Sequence, residues 1–304
     1  MDISALKSRK YDINKLVDAA QAAGGGDKQK NDRDDETIWK PTVDDAGNGY
    51  AVIRFLPSES NVPWVQYWDH FFKGPTNKWY VEKSLTTIGQ DDPMSESNSR
   101  LWATGREEDR DTVRKRKRKL HYVANILVVS DPSAPQNEGK VFKYDFGKKI
   151  FDKISDLMQP EFPDESPVDP FDLWEGADFQ LKIRKYEGYR NYDKSDFKSP
   201  SALFDGDETR LQAVMNTIHD LEHYIDPKTF KSYEELSAQV AMVLGESAPQ
   251  TTREQVSTEA PQSAPAMASQ AEPVVATAPA SVDEADESGD DDAMSYFQKL
   301  ANAD

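Results

Sequence analysis

Arg114-Lys115-Arg116-Lys117-Arg118-Lys119-Leu120-His121-Tyr122-Val123-Ala124-Asn125-Ile126-Leu127-Val128-Val129 runs without a break from six consecutive basic residues into an apolar, β-branched segment. The second half has the composition of a buried strand. The first half is therefore anchored in a fixed direction and can line a groove. Six adjacent like charges repel one another and call for an anionic partner, the more so in a chain of formal net charge −18. Such a tract suits neutralisation of nucleic-acid phosphates. A solvated loop or a localisation signal is the bland alternative.

On either side the texture is of short aromatic and β-branched runs broken by turn residues. Upstream, Asn48-Gly49 introduces a strand over Tyr50–Leu56 that Pro57 ends, followed by runs at Trp64–Phe72 and Lys78–Glu82. Downstream, Asn137-Glu138-Gly139 turns into Lys140–Phe146, and Asp178–Tyr186 alternates Phe179, Leu181 and Ile183. One amphipathic helix is expected at Lys148–Met158, with Ile150, Phe151, Ile154 and Leu157 on one face. Five or six strands with one interposed helix predict a mainly β, α+β fold, a five-stranded, partly open barrel of the oligonucleotide-binding type with added helices. Further helices are expected at Glu208–Ile225 and Tyr233–Leu244. Trp39, Trp64, Phe55 and Phe146 are assigned to the core.

The ends differ in composition. Residues 1–35 read as a basic arm with a short helix over 11–23, and 36–245 as the core, with an inserted subdomain at about 64–112. An Ala/Pro/Ser/Gln/Thr-rich linker spans 246–282, and a disordered acidic tail 283–304. Residues 1–30 hold six Lys/Arg against four Asp, whereas 246–304 hold two basic and twelve acidic residues. The tail can compete with nucleic acid for a cationic groove, offer Asp290, Asp291, Asp292, Tyr296 and Phe297 to partner proteins, or simply solubilise the chain.

Aromatics interleave with the cations. Trp79, Tyr80, Trp102, Tyr122, Tyr144, Tyr189 and Tyr192 lie close to Lys or Arg, as in Lys78-Trp79-Tyr80 and Lys143-Tyr144. Rings that stack on unpaired bases beside cations for the backbone make a single-strand platform. Ordinary β-core packing explains any single ring equally well. Gly188-Tyr189-Arg190-Asn191-Tyr192 fits a base-clasping loop and nearly as well a plain turn.

Enzyme chemistry is poorly supported. The chain has no cysteine, so disulfides, thiolate metal sites and cysteine nucleophiles are excluded. Neither a phosphate loop nor Gly-x-Ser-x-Gly occurs. Of the four histidines, only His219 and His223 have helical ligand spacing, without the glutamate placement of a zinc protease. No run is long and apolar enough to span a bilayer, and the N-terminus lacks a secretory core.

The stretches Asp45-Ala46-Gly47-Asn48-Gly49, Ala51–Pro57, Ala124–Val129 with Asp131-Pro132, Asn137–Tyr144, Phe146–Ile150, Trp174-Glu175-Gly176-Ala177 and Phe230-Lys231-Ser232, in this order, resemble the single-stranded-DNA-binding proteins of T4-like bacteriophages. The resemblance covers about residues 1–245. It implies an oligonucleotide-binding barrel with a small zinc subdomain, binding unpaired DNA cooperatively and non-enzymatically in the cytoplasm of an infected bacterium during replication, recombination and repair. Lys117, Arg118 and Lys119 resemble the family's Lys-Arg-Lys tract and Tyr122 its following aromatic. Trp79, Tyr80, Tyr144, Tyr189 and Tyr192 resemble its groove aromatics, and Trp102 replaces a tyrosine. With Arg114, Lys115, Arg116 and Lys143 these make up the expected DNA-binding set. Lys7, Arg9 and Lys10 resemble the arm that docks on a neighbouring monomer. The tail resembles the segment that recruits polymerase, helicase-loading and recombination proteins. An RNA-binding regulator using the same groove is the alternative, and a metal-dependent nuclease built from the acidic clusters a third.

One departure concerns the metal. The family holds zinc with one histidine and three cysteines; His70 matches the histidine, but the cysteine positions fall on Ser84, Asp92 and Ser95. Neutral hydroxyls do not replace thiolates, so no structural zinc and no other cofactor is expected, with 84–112 held by packing or mobile. The longer basic run is expected to steepen the salt dependence of binding.

Overall fold

The computed structural model describes residues 36–246 except Glu59 and Asn61, together with Ile3. The arm helix with Lys7, Arg9 and Lys10, the linker and the acidic tail lie outside the described residues.

The spine is β4, Lys119–Ser130, the strand that follows the basic run. On one edge it carries β5, Val141–Phe146; on the other it carries first β2, Trp64–Lys73, and then β1, Gly49–Phe55. Tyr122 thus pairs with both Gln66 and Phe146, and Ile126 with both Phe55 and Phe142. β3, Trp79–Lys83, extends the sheet beyond β2, and β6, Phe179–Tyr186, beyond β1. β7, Tyr189–Asn191, and β8, Asp196–Phe197, complete the ladders on β6. Every strand pair is antiparallel among the described residues. A bulge between Val52 and Ile53 shifts the β1–β4 register and adds twist, so the sheet curls around its inner face as a partly open barrel of the oligonucleotide-binding type.

That inner face is filled by alternate residues, as the strand period of two requires. Ile53, Phe55, Tyr122, Ala124, Ile126, Phe146, Phe179 and Leu181 form one cluster with Trp39 and Trp64. A helix, Lys148–Met158, lays Ile150, Ile154 and Met158 across the opening. Each large apolar side chain buried there contributes roughly 1.5–3 kcal/mol. β1 is buried on its other face too. Arg54 is fully buried there, 3.3 Å from Asp178 and donating to the Ser201 carbonyl; a buried guanidinium needs such partners. Ile3 packs with Leu56, Leu127, Leu203 and Leu211 in a second cluster.

Two helices that hydropathy periodicity does not reveal fill 93–116: α1, Pro93–Ala103, and α2, Glu107–Arg116. The Lys148–Met158 helix is therefore α3. They form a lobe beside β2 and β3, with Phe72, Tyr80, Leu85 and Met94 at its centre. The helix expected at Glu208–Ile225 is shorter, ending at Met215 (α4, Glu208–Met215). Its second half is claimed by the barrel: the buried Asn125 amide donates to the His219 carbonyl (2.8 Å) and accepts from the His219 N–H (2.9 Å). This tertiary pairing overrides helical propensity. His219 and His223 consequently share no helix, and no ligand pair forms. The last helix, α5 over Tyr233–Leu244, has a Ser232–Glu235 capping box and a left-handed Gly245 at its end. It adds Leu236, Val240 and Val243 to the lobe cluster. No helix of the described residues is long and apolar enough to cross a membrane.

Candidate nucleic-acid interface

The six basic residues do not form one patch. Arg114 is spent within α2, 2.7 Å from Glu107 and 2.5 Å from Asp111. Arg116 is buried, its Nε donating to Asn98 Oδ1 (2.8 Å). Lys115 is exposed on the helix. The helix ends at Arg116, and Lys117 continues with extended backbone (φ −59°, ψ 153°), delivering Arg118 and Lys119 to the β2–β4 ladder. Arg118 lies over Trp68 at 4.3 Å and donates to Thr86 Oγ1 (2.6 Å), and Lys119 lies over Phe71 at 5.6 Å. The expected steepening is thus limited to the Lys115 and Lys117–Lys119 portion of the run.

Trp68 and Phe71 sit on opposite faces of β2 by strand alternation. The Phe71 face is chemically the richer. Lys73 stands opposite Trp79, Asp69 opposite both Lys83 and Lys119, and Tyr67 opposite His121. The Lys73 ammonium is 5.9 Å from the Trp79 ring and Phe71 5.3 Å from it. Lys73, Trp68, Phe71 and Lys83 are absent from the sequence-derived set, although the period-two pattern of Tyr67-x-Asp69-x-Phe71-x-Lys73 marks one face of a strand.

Several expected aromatics are core residues. Tyr80, Tyr122, Tyr144 and Tyr192 are 2%, 5%, 3% and 7% exposed. Tyr122 stacks on Phe151 at 4.0 Å, Tyr144 meets Trp39 edge-on at 5.1 Å, and Tyr80 packs on Phe72 at 5.4 Å. Protein rings pack on Tyr80, Tyr122 and Tyr144, Tyr192 is buried, and in this conformation none of the four offers a surface to a base. Lys143 is buried as well, with its ammonium 5.4 Å from the Tyr224 ring. Trp79 and Trp102 are half-buried; Arg110 lies 5.3 Å from Trp102. The Gly188–Tyr192 patch is a hairpin whose turn residues Glu187 and Gly188 take positive φ (51° and 93°). It exposes Tyr189 with its cross-strand neighbour Tyr186, while Tyr192 turns inward.

At the floor of the Phe71 face lies a charged cluster. His121 is held between Asp145 (Nδ1, 2.9 Å) and Asp69 (Nε2, 3.3 Å), its ring stacked on Tyr67 at 4.9 Å. The Tyr67 hydroxyl donates to Asp145 (2.8 Å). Burial alone would lower the His121 pKa, but the two carboxylates raise it well above the ordinary imidazole value. Burial would raise Asp69, yet His121 and Lys119 bring it below its ordinary value. Burial and the neighbouring carboxylates push Tyr67 far up, so it stays a neutral donor. The face therefore keeps a charged imidazole beside its lysines at neutral pH.

A family model described as gp32 DNA binding protein like matches residues 47–244. The chain belongs to that family. It is 42% identical over 239 residues to the single-stranded DNA-binding protein of Enterobacteria phage T2, covering 76% of this chain and 78% of that protein. It is 41% identical over 235 residues to the single-stranded DNA-binding protein of Enterobacteria phage T4, covering 75% and 76%. The matched span contains the whole barrel, the lobe and every cation–ring pair on β2.

Proposed function

We propose that this chain binds single-stranded DNA without sequence preference, cooperatively and without catalysis, in phage DNA replication, recombination and repair within the infected bacterial cell. The observation that carries the reading is the set of cations placed over rings where the basic tract meets β2: Arg118 on Trp68, Lys119 on Phe71 and Lys73 beside Trp79. Guanidinium and ammonium groups next to the half-buried Trp68 and Trp79 rings serve phosphate and unpaired base together, a combination a duplex does not exploit. The relatives' names support the same reading. Melting of hairpins follows by mass action, because only the unpaired state is bound.

Fluorescence titration of the full chain with oligo(dT), a matched duplex and oligo(U) tests this. Quenching by oligo(dT) that weakens steeply with salt, with little response to duplex, is the expected result. Equal response to duplex removes the stacking model, and a preference for oligo(U) makes the chain an RNA binder.

Lys7, Arg9 and Lys10 are proposed to dock on the next monomer. Removing residues 1–10 is expected to abolish cooperative clustering on long strands while affinity for a single isolated site persists; clusters that survive the deletion place the docking surface elsewhere. The tail, with Asp290, Asp291, Asp292, Tyr296 and Phe297, is proposed to bind replication and recombination proteins, its acidic block meeting their basic surfaces.

A further inference from the structure

The family resemblance implies zinc at His70, Ser84, Asp92 and Ser95, and the fold does gather these positions. His70, Ser84 and Asp92 are essentially without solvent exposure. The donors nevertheless do not suit the metal. One imidazole, one carboxylate and two neutral hydroxyls replace the thiolate-rich set that closes a structural zinc site. Both Asp92 oxygens are already engaged: Oδ1 accepts from the Ser95 N–H (2.8 Å) and Oδ2 from the Leu85 N–H (3.1 Å). The Ser84 hydroxyl pairs with Thr86 Oγ1 (3.0 Å). Among the described residues no three His, Asp or Glu side chains converge to hold an ion.

A chain of polar contacts stands there instead. Asp92 caps α1, fixes the turn at Leu85 and faces His70 Nε2 at 3.3 Å, both side chains being buried. The other ring nitrogen, Nδ1, donates to the Arg116 carbonyl (3.1 Å). The Asn98 amide donates to the same carbonyl (3.2 Å) and accepts from Arg116 Nε (2.8 Å). Arg116 is the last residue of α2, and Lys117 follows it directly. One chain of interactions therefore runs from the α1 cap through β2 to the point where the basic tract leaves its helix.

We propose that His70, Asp92 and Asn98 form a metal-free relay that fixes Lys117–Lys119 against Trp68 and Phe71, and so act as positioning residues for single-stranded DNA. This rests on the function proposed above. The relay performs two tasks at once: it ties the lobe to β2 without an ion, and it sets where the cations stand. Asp92, its oxygens fixed by two backbone donors, gives the imidazole an immobile charged neighbour at 3.3 Å.

The test uses the full chain and has two arms. In the first, thermal unfolding is followed with and without a strong chelator, and again with added zinc. An unchanged transition is expected; a chelator-induced drop in Tm overturns the metal-free relay whether or not the protein binds DNA. In the second, Asp92→Asn, His70→Asn and the double variant are titrated with oligo(dT) at several salt concentrations. Each single change is expected to weaken binding several-fold, the scale of one lost polar contact. It should also flatten the slope of log affinity against log salt by about 0.7 for each phosphate that is no longer neutralised. The double variant is expected to be no worse than either single one, because the two residues act as a unit.

A purely structural role lowers the folded fraction and leaves that slope alone, so unchanged slopes sink the proposal, as do additive losses of affinity. If Asp92→Asn does not fold, Asn98→Ala takes its place: it frees the Arg116 guanidinium and removes one of the two donors on the Arg116 carbonyl while keeping the His70–Asp92 pair, and the same flattening is expected. If the unaltered chain fails to bind oligo(dT), the functional reading falls, and the chelator arm still decides how the lobe is held.

Discussion

Replacing Lys117, Arg118 and Lys119 together by alanine is expected to flatten the salt dependence of oligo(dT) binding by about 2 in log–log slope, three phosphates at about 0.7 each. Arg118 also covers Trp68 and Lys119 covers Phe71, so the variant uncovers two rings as well as removing charge. Its quenching at saturation should therefore change along with its affinity. Arg114→Ala makes the informative contrast. That guanidinium is already paired with Glu107 and Asp111 on its own helix, and its removal should leave the slope nearly unaltered. If Arg114→Ala flattens the slope as much as one residue of the triple variant does, the α2 ion pairs open on binding and the whole tract reaches DNA.

His121→Ala is expected to be the most destabilising single change at the face. It strands Asp69 and Asp145 near one another at the sheet surface, each largely buried and each without the imidazolium between them. Breaking one side of such a buried arrangement costs about 3 kcal/mol, or a fall of roughly 6–12 °C in Tm for a domain of this size. The pH dependence follows from the shifts. The folded-state pKa of His121 is raised, so its contribution is full below about 6.5 and fades only as pH rises through that higher value. Asp69 is depressed, so its contribution is present above about 4 and lost as pH falls below it. Asp92, which burial would raise, is held at about 2 by His70 and the Ser95 and Leu85 N–H groups, and loses its share on the same acid side. The deficit of His121→Ala should accordingly be largest near neutral pH and narrow below pH about 4, where the stabilising share of Asp69 is lost in the unaltered chain as well. A deficit independent of pH would mean that packing on Tyr67, and not charge, is what His121 supplies.

The barrel was legible in the sequence because its strands announce themselves locally: Asn48-Gly49 before β1, Asn137-Glu138-Gly139 before β5, and the Phe179-Leu181-Ile183 alternation of β6. The helix over Lys148–Met158 was equally plain from the spacing of Ile150 and Ile154. What escaped was set by tertiary partners. α1 and α2 are polar helices, held by an Asp92 cap and by the Arg116–Asn98 hydrogen bond that only the fold creates. The C-terminal part of 208–225 yields to Asn125. The proposed binding face was half legible. Charge and aromatic content located the ladder, but not which rings face outward: Tyr122 and Tyr144 look like stacking residues until Phe151 and Trp39 are seen against them. Two of the six residues of the basic tract are likewise consumed, Arg114 by acidic neighbours one or two helical turns away and Arg116 by burial, and residue counts obscure both.

The lobe beside β3 is completed from far along the chain. Lys231 reaches Glu82 across 149 residues of sequence, Thr76 Oγ1 donates to the Val243 carbonyl (2.7 Å), and α5 closes the cluster around Tyr80 and Met94. During synthesis, then, the hairpin that carries Lys73 and Trp79 is made early and finished late. Until α5 has left the ribosome, Phe72, Tyr80, Leu85 and Met94 lack the cover of Leu236, Val240 and Val243, and the loop to be closed is among the longest in the domain. A nascent chain consequently has no mature groove with which to seize nucleic acid near the ribosome. Chains broken off before Tyr233 present a bare apolar surface, fit for aggregation or proteolysis and not for binding.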